Sequence, residues 1–272
     1  MVGSSNDGTA KVALDENQFV PAASTRQKIS RTAALLLLAA QGGIFYTFGF
    51  FAADLKQVGD YSETQLNLIG GVAYIGAMAP MLLVGELTVR VPLWVAYVAN
   101  AFNLLGWTGL FLSVMLMPTP FWIVGLSISL VGAGVAAICP LAIKQLEMMH
   151  TSKGAVQLYQ TLYIALYALS GAVGALVYGF AMQSLSVETR LQSYMAAQVA
   201  ITLVVVVLYH VSMPRAYFVG RDLIVWGFMS SMAHLLTHPF TWLIVVINFV
   251  LYGTAVNIYN NAGTMQPRLN PG

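Results

Sequence analysis

The side chains best placed to do chemistry in this chain are uncharged amides and phenols set inside long apolar runs. They are Gln41, Tyr46, Thr47 and Tyr74; Asn100 and Asn103; Gln160, Tyr163, Tyr167 and Ser170; and Asn248, Asn257, Asn260 and Asn261. An amide or phenol in apolar surroundings needs a hydrogen-bond partner. Two arrangements meet that need: bonds between helices, or the lining of a cavity that receives a polar solute. The residue types leave both open. Catalysis finds no comparable support, because there is no Ser/His/Asp set, no phosphate-cradling glycine loop and no pair of carboxylates within an apolar run. The chain therefore reads as a non-enzyme. His234 and His238 stand four residues apart but have no third ligand nearby, so neither a metal nor a cofactor is expected. Cys139 is the single cysteine; it forbids an intrachain disulfide and reads as a small core residue.

The elements that must position these groups follow from composition. Of the 272 residues, 58% are hydrophobic and only 8% charged, far below the roughly 25% charge of a soluble domain. The apolar residues come in runs of about 20, the length that crosses a hydrocarbon core of about 30 Å. Lipid offers the backbone no partner, so such runs are helices. A membrane β-barrel would alternate apolar and polar residues, and these runs do not. The expected fold is all-α, a polytopic transmembrane bundle with spans near 33–53, 66–85, 93–116, 121–143, 155–182, 193–213 and 241–259. Residues 1–30 read as a polar, disordered tail. Residues 31–213 form six spans, 214–240 a linker with an interfacial helix, and 241–272 the seventh span and a short tail. Small residues recur at four-residue spacing on span four (Gly125, Ser129, Ala133, Ala137) and span five (Gly171, Ala175, Gly179), a pattern that lets helix backbones approach.

Charge falls in the connections. Loop one carries Asp54, Lys56, Asp60 and Glu63, and loop two is a tight Glu86–Pro92 turn. Loop four carries Lys144, Glu147, His150 and Lys153, and loop five Glu188 and Arg190. With the N-terminus inside, the inner segments hold Lys11, Arg26, Lys28, Arg31, Arg90, Lys144, Lys153, Arg215 and Arg221. The outer ones hold Lys56, Arg190 and Arg268. This bias predicts a cytoplasmic N-terminus, or a matrix or stromal one in an organelle. A net charge of +2 gives no reason to expect nucleic acid.

The order of motifs resembles the Nodulin-like branch of the major facilitator superfamily, over roughly residues 30–265. Tyr61-Ser62-Glu63-Thr64-Gln65-Leu66-Asn67 is similar to the family's YSQTQLN before span two. Gly85 to Trp94 sits where the superfamily has G-x-x-x-D-R-x-G, and Pro120-Phe121-Trp122 opens span four. Lys153-Gly154 followed by Leu169-Ser170-Gly171-Ala172 resembles RG…LSGA in span five. Gly253 to Gly263 resembles the family's span seven, GSGLTVIDNLGQ.

The resemblance implies a solute cavity lined in this half by spans one, two, four and five, with Gln41, Tyr46, Tyr74, Gln160, Tyr163 and Tyr167 as its substrate-binding positions. It also implies a gating loop, of which Gly85 and Arg90 match while Val89 and Pro92 depart. The family's span-five lysine is replaced by Ile164, or by Gln160 if a gap is placed. The sequence stops after the seventh span, so it reads as a truncated half-transporter whose ancestral activity is small-solute transport. Its expected partners are membrane lipid and a second copy or another chain that supplies further helices. The competing reading is a non-transporting accessory subunit of a larger membrane complex, an organellar one included.

Overall fold

The computed structural model describes residues 24–150 and 152–218, together with 233, 237–239, 242, 243 and 246. The polar stretch 1–23 lies outside the described residues. So, apart from those scattered positions, do the linker beyond Phe218 and the seventh apolar run, with His234, Asn248, Asn257, Asn260 and Asn261.

Span one is assembled from α1 (Thr25–Gly43), a 3-10 turn over Ile44–Thr47 and α2 (Phe48–Gly59). Helix α1 starts earlier than the composition suggests. The Ser24 hydroxyl accepts from the Gln27 backbone while the Gln27 side chain accepts from the Ser24 N–H, a reciprocal cap that satisfies two end donors. Residues 25–30, expected in the disordered tail, are therefore helical. The helix tightens at Ile44–Thr47, where the Thr47 hydroxyl donates to the Ile44 carbonyl at 2.7 Å, a back-bond that competes with the helical ladder. Asp60 ends the span in the left-handed conformation, φ 53°, which Asp tolerates better than most residues.

Five more helical units complete the described bundle. Helix α3 (Glu63–Arg90) is capped by Ser62 and Gln65, α4 covers Pro92–Met115 and α5 covers Phe121–Met149. Helix α6 (Lys153–Leu176) runs on through a π turn at Val177–Ala181, and α7 (Val187–Ser212) leads to a 3-10 turn at Arg215–Phe218. No strand occurs among the described residues, and six of these helical units are long and apolar enough to cross a membrane.

Two expectations about the loops are corrected. The turn expected over Glu86–Pro92 is one residue long: α3 continues to Arg90 and α4 begins at Pro92, leaving Val91 between them. Proline suits the first helical position because its missing N–H is not needed there. The charges expected in loops one, four and five lie largely on helix ends. Asp54 and Lys56 are in α2, Lys144 and Glu147 in α5, Glu188 and Arg190 in the first turn of α7.

Helix α5 is wedged between α3 and α4, α4 packs on α7, and α1 packs on both α7 and α6. The wedge fits because small residues meet across it. A β-carbon on Gly76 would stand 2.1 Å from the Ser129 hydroxyl, and one on Gly134 would stand 2.4 Å from the Ala99 carbonyl. The face of Gly125 and Ser129 thus turns to α3, as the small-residue spacing suggests. On span five Gly171 and Gly174 turn to span one, whereas Gly179 meets nothing within 4 Å. Two apolar cores stack along the bundle. One holds Phe51, Trp107, Leu110, Ile128 and Tyr194, and the other, toward the N-terminal side, holds Leu38, Leu141, Tyr163 and Tyr209.

Candidate solute-binding site

Tyr74 is the middle residue of the apolar unit Glu63–Gly85, and Tyr167 is the middle residue of Lys153–Ala181. Tyr46 lies in the 3-10 turn that interrupts span one. These three phenols, from spans one, two and five, gather around Phe45. Its ring meets Tyr46 at 5.7 Å and Tyr74 at 6.0 Å, while Tyr46 meets Tyr167 at 5.6 Å, all edge to face. That geometry is the favoured one for aromatic quadrupoles. Span four closes the floor: a β-carbon on Gly132 would stand 3.1 Å from Phe45 Cζ.

Local structure explains the convergence. Gly42 and Gly43 bring α1 so close to α6 that a β-carbon on Gly43 would stand 1.7 Å from the Tyr167 carbonyl oxygen. The 3-10 turn that follows then directs Phe45 to α3 and α5 and Tyr46 to α6. Phe45 is buried, whereas Tyr46, Tyr74 and Tyr167 are half-buried. The result is a set of hydroxyls at mid-depth, able to donate to or accept from a polar solute. In low dielectric such bonds are stronger than in water.

The remaining positions expected to bind substrate go elsewhere. Tyr163, one turn along α6 from Tyr167, is fully buried beside Cys139 and Tyr209. Gln160, a further turn away, donates to Glu147 at 2.8 Å near the N-terminal-side surface. Gln41 faces spans three and six. Its amide donates to Thr202 at 3.0 Å and to Asn103 at 3.3 Å, and accepts from Asn103 at 2.7 Å. Asn100 with His210 and Tyr209 with Gln145 extend this polar seam toward the N-terminal side. Gly85 and Arg90 lie in the last two turns of α3, where Lys144 of α5 donates to the Thr88 carbonyl at 3.2 Å.

Sequence reasoning missed one residue, Phe45, and the partners of two that it had named, Thr47 and Asp54. Phe45 gave no polar signal, although it is the hub of the phenol cluster. Thr47 pairs with Tyr194 at 2.8 Å, a contact between spans one and six with no trace in the spacing. Asp54 joins Arg190 and Tyr178 at the far end of the bundle. A separate shallow hollow lies at that end too, lined by Asp60, Tyr61, Gln65, Pro118 and Trp122. It is built from two loops and the first turns of α3 and α5, and lies apart from the phenols.

Six apolar helical units with polar groups converging at mid-depth define a multi-pass membrane protein of transporter-like architecture. The chain belongs to the Nodulin-like family, whose model matches residues 29–254. No curated protein matches it.

Proposed function

We propose that this protein carries a small polar solute across a membrane, with Tyr46, Tyr74 and Tyr167 contacting the solute. The observation that carries this reading is the meeting of three half-buried phenols from three separate spans at mid-depth. Membrane carriers place their sites at that depth, where the solute can be reached from either side in turn. Family membership supports transport over catalysis. Gln160 and Tyr163 lie on the same helix as Tyr167, toward the N-terminal side. The lysine–carbonyl contact between Lys144 and Thr88 supplies an end contact where the superfamily's charged loop has eroded. The test is a thermal-shift screen of the purified protein against sugars, amino acids and nucleosides. A stabilising solute should lose its effect in Tyr46→Phe, Tyr74→Phe and Tyr167→Phe, read as the shift from each variant's own solute-free melting. A solute shift unchanged in all three removes the site.

A second reading has its own observation. The faces of α3 and α6 that turn away from the bundle expose Ile75 at 67%, Leu169 at 58% and Phe180 at 74%. That area suits lipid, a second copy, or other chains of a larger membrane assembly in which this chain no longer transports. The native mass in mild detergent separates the readings. A solute-binding monomer or dimer supports transport, and a large assembly of fixed stoichiometry without solute binding supports the accessory role.

A further inference from the structure

The first two turns of α1 carry three cations, Arg26, Lys28 and Arg31, all on helix rather than on a loose tail. Thr32 and the His150 ring meet at 3.3 Å, which puts Thr32 level with the end of α5. At 1.5 Å per residue, Lys28 then stands about 6 Å beyond that level, in the layer where lipid headgroups lie. Ile29 on the same turn is 65% exposed.

The cations divide by direction. At about 100° per residue, Lys28, Arg31 and Thr32 share one face of α1, and Arg26 lies on the opposite one. On the shared face the Arg31 guanidinium sits 5.2 Å from the centre of the Tyr217 ring and donates to its hydroxyl at 3.3 Å. His150 stacks on Tyr159 at 4.2 Å. Lys153 begins α6 and Arg215 begins the turn that contains Tyr217. The carboxylate on this rim, Glu147, accepts from Gln160. Among the described residues, neither Lys28 nor Arg31 has a carboxylate partner. A guanidinium held by an aromatic ring and an ammonium one turn away on the same face form a cradle for a phosphate group, which arginine binds through its paired N–H donors.

We propose that Lys28 and Arg31, with Arg31 oriented by the buried Tyr217 and the pair backed by the Thr32–His150 contact, bind the phosphate of an anionic phospholipid headgroup in the leaflet on the N-terminal side. The exposed Ile29 and the helical stem place the cradle at the membrane surface and favour a headgroup over a soluble phosphate. The occupant would tie α1 to the ends of α5 and α7, and so would bear on how freely span one moves.

The test uses the full chain reconstituted in phosphatidylcholine vesicles with or without phosphatidylglycerol, then extracted and weighed by native mass spectrometry. Phosphatidylglycerol is expected to stay bound in preference to phosphatidylcholine. Lys28→Ala and Arg31→Ala should each weaken retention by about tenfold, whereas Arg26→Ala should change it by no more than about twofold; a general surface attraction would cost all three about fivefold. Lys28 is exposed and makes no side-chain bond that folding needs, so its variant reports binding even if Arg31→Ala is unstable. Equal losses in Lys28→Ala and Arg26→Ala would overturn the site in favour of diffuse charge. Absence of preference for phosphatidylglycerol, or its full displacement by millimolar inorganic phosphate, would overturn the headgroup assignment.

Discussion

Asp54, near the end of span one, and Arg190, in the first turn of span six, are joined as an ion pair in which Arg190 Nε donates to Asp54 Oδ2 at 2.7 Å. Tyr178, in the π turn that ends span five, donates to the same oxygen, and the guanidinium lies 5.3 Å from its ring centre. Both charged side chains are largely buried, at 14% and 16% exposure. Three spans are thus fastened at one carboxylate.

Removing one partner of such a pair leaves the other charge buried and uncompensated, which costs about 3–5 kcal/mol. Arg190→Ala should therefore lower the melting temperature in detergent sharply. Asp54→Asn keeps two acceptor or donor positions and should cost less. Adding Arg190→Ala to Asp54→Asn should then cost less than Arg190→Ala alone, the difference being a coupling energy of about 1–3 kcal/mol. Simple additivity in that cycle would show that the pair does not act as a unit.

Gln41 is expected to be structural, since its amide is used by Asn103 and Thr202. Gln41→Leu leaves both partners without their bond in a buried seam and should cost about 1–3 kcal/mol. Solute-dependent stabilisation, once a solute is found, should survive in the fraction that folds. Loss of the solute effect at unchanged stability would return Gln41 to the binding site.

The glycines separate contact from vacancy. Gly43→Ala forces a β-carbon onto the Tyr167 backbone and should destabilise by about 1–3 kcal/mol. Gly71, exposed on α3, meets nothing within 4 Å. Gly71→Ala should be neutral or stabilising by up to about 1 kcal/mol from helix propensity. If the two variants melt alike, the face of α3 around Gly71 is covered in the purified particle.

Acid should weaken the N-terminal-side rim. Burial, and then the nearby Lys28 charge, hold the pKa of His150 below its usual 6.5. The folded state then binds fewer protons than the unfolded one, so stability falls as pH drops through 6.5 and is unaffected well above it. His150→Gln should flatten that part of a melting-versus-pH curve. A ring titration by NMR that puts His150 above 6.5 in the absence of lipid contradicts the assignment.

The helical class and the order of six long apolar spans were legible, because hydrophobic run length is set by bilayer thickness and needs no tertiary information. Even there the ends were drawn short. Ser24 and Gln27 carry the capping pattern plainly, but the polarity of residues 25–30 argued for a tail. The site was legible in part. Tyr74 and Tyr167 stand at span midpoints, and span membership alone places them at one depth. Which way Gln41 faces is decided by helix rotation, and uniformly apolar spans give little period from which to read it. The pairing of Asp54 with Arg190 lies further out of reach, since residues 136 apart meet only once the bundle is packed.

The wedge of α5 between α3 and α4 also bears on how the bundle is made. Val91 alone joins α3 to α4, so these two spans enter the bilayer as a hairpin, yet they pack mainly on α5 and hardly on each other. Until the fourth span is synthesised, Gly76 and Gly106 face lipid with shallow grooves that nothing fills. The hairpin is an open clasp during biogenesis. The fourth span, which brings Ser127 and Ser129 to those glycines, is what closes it.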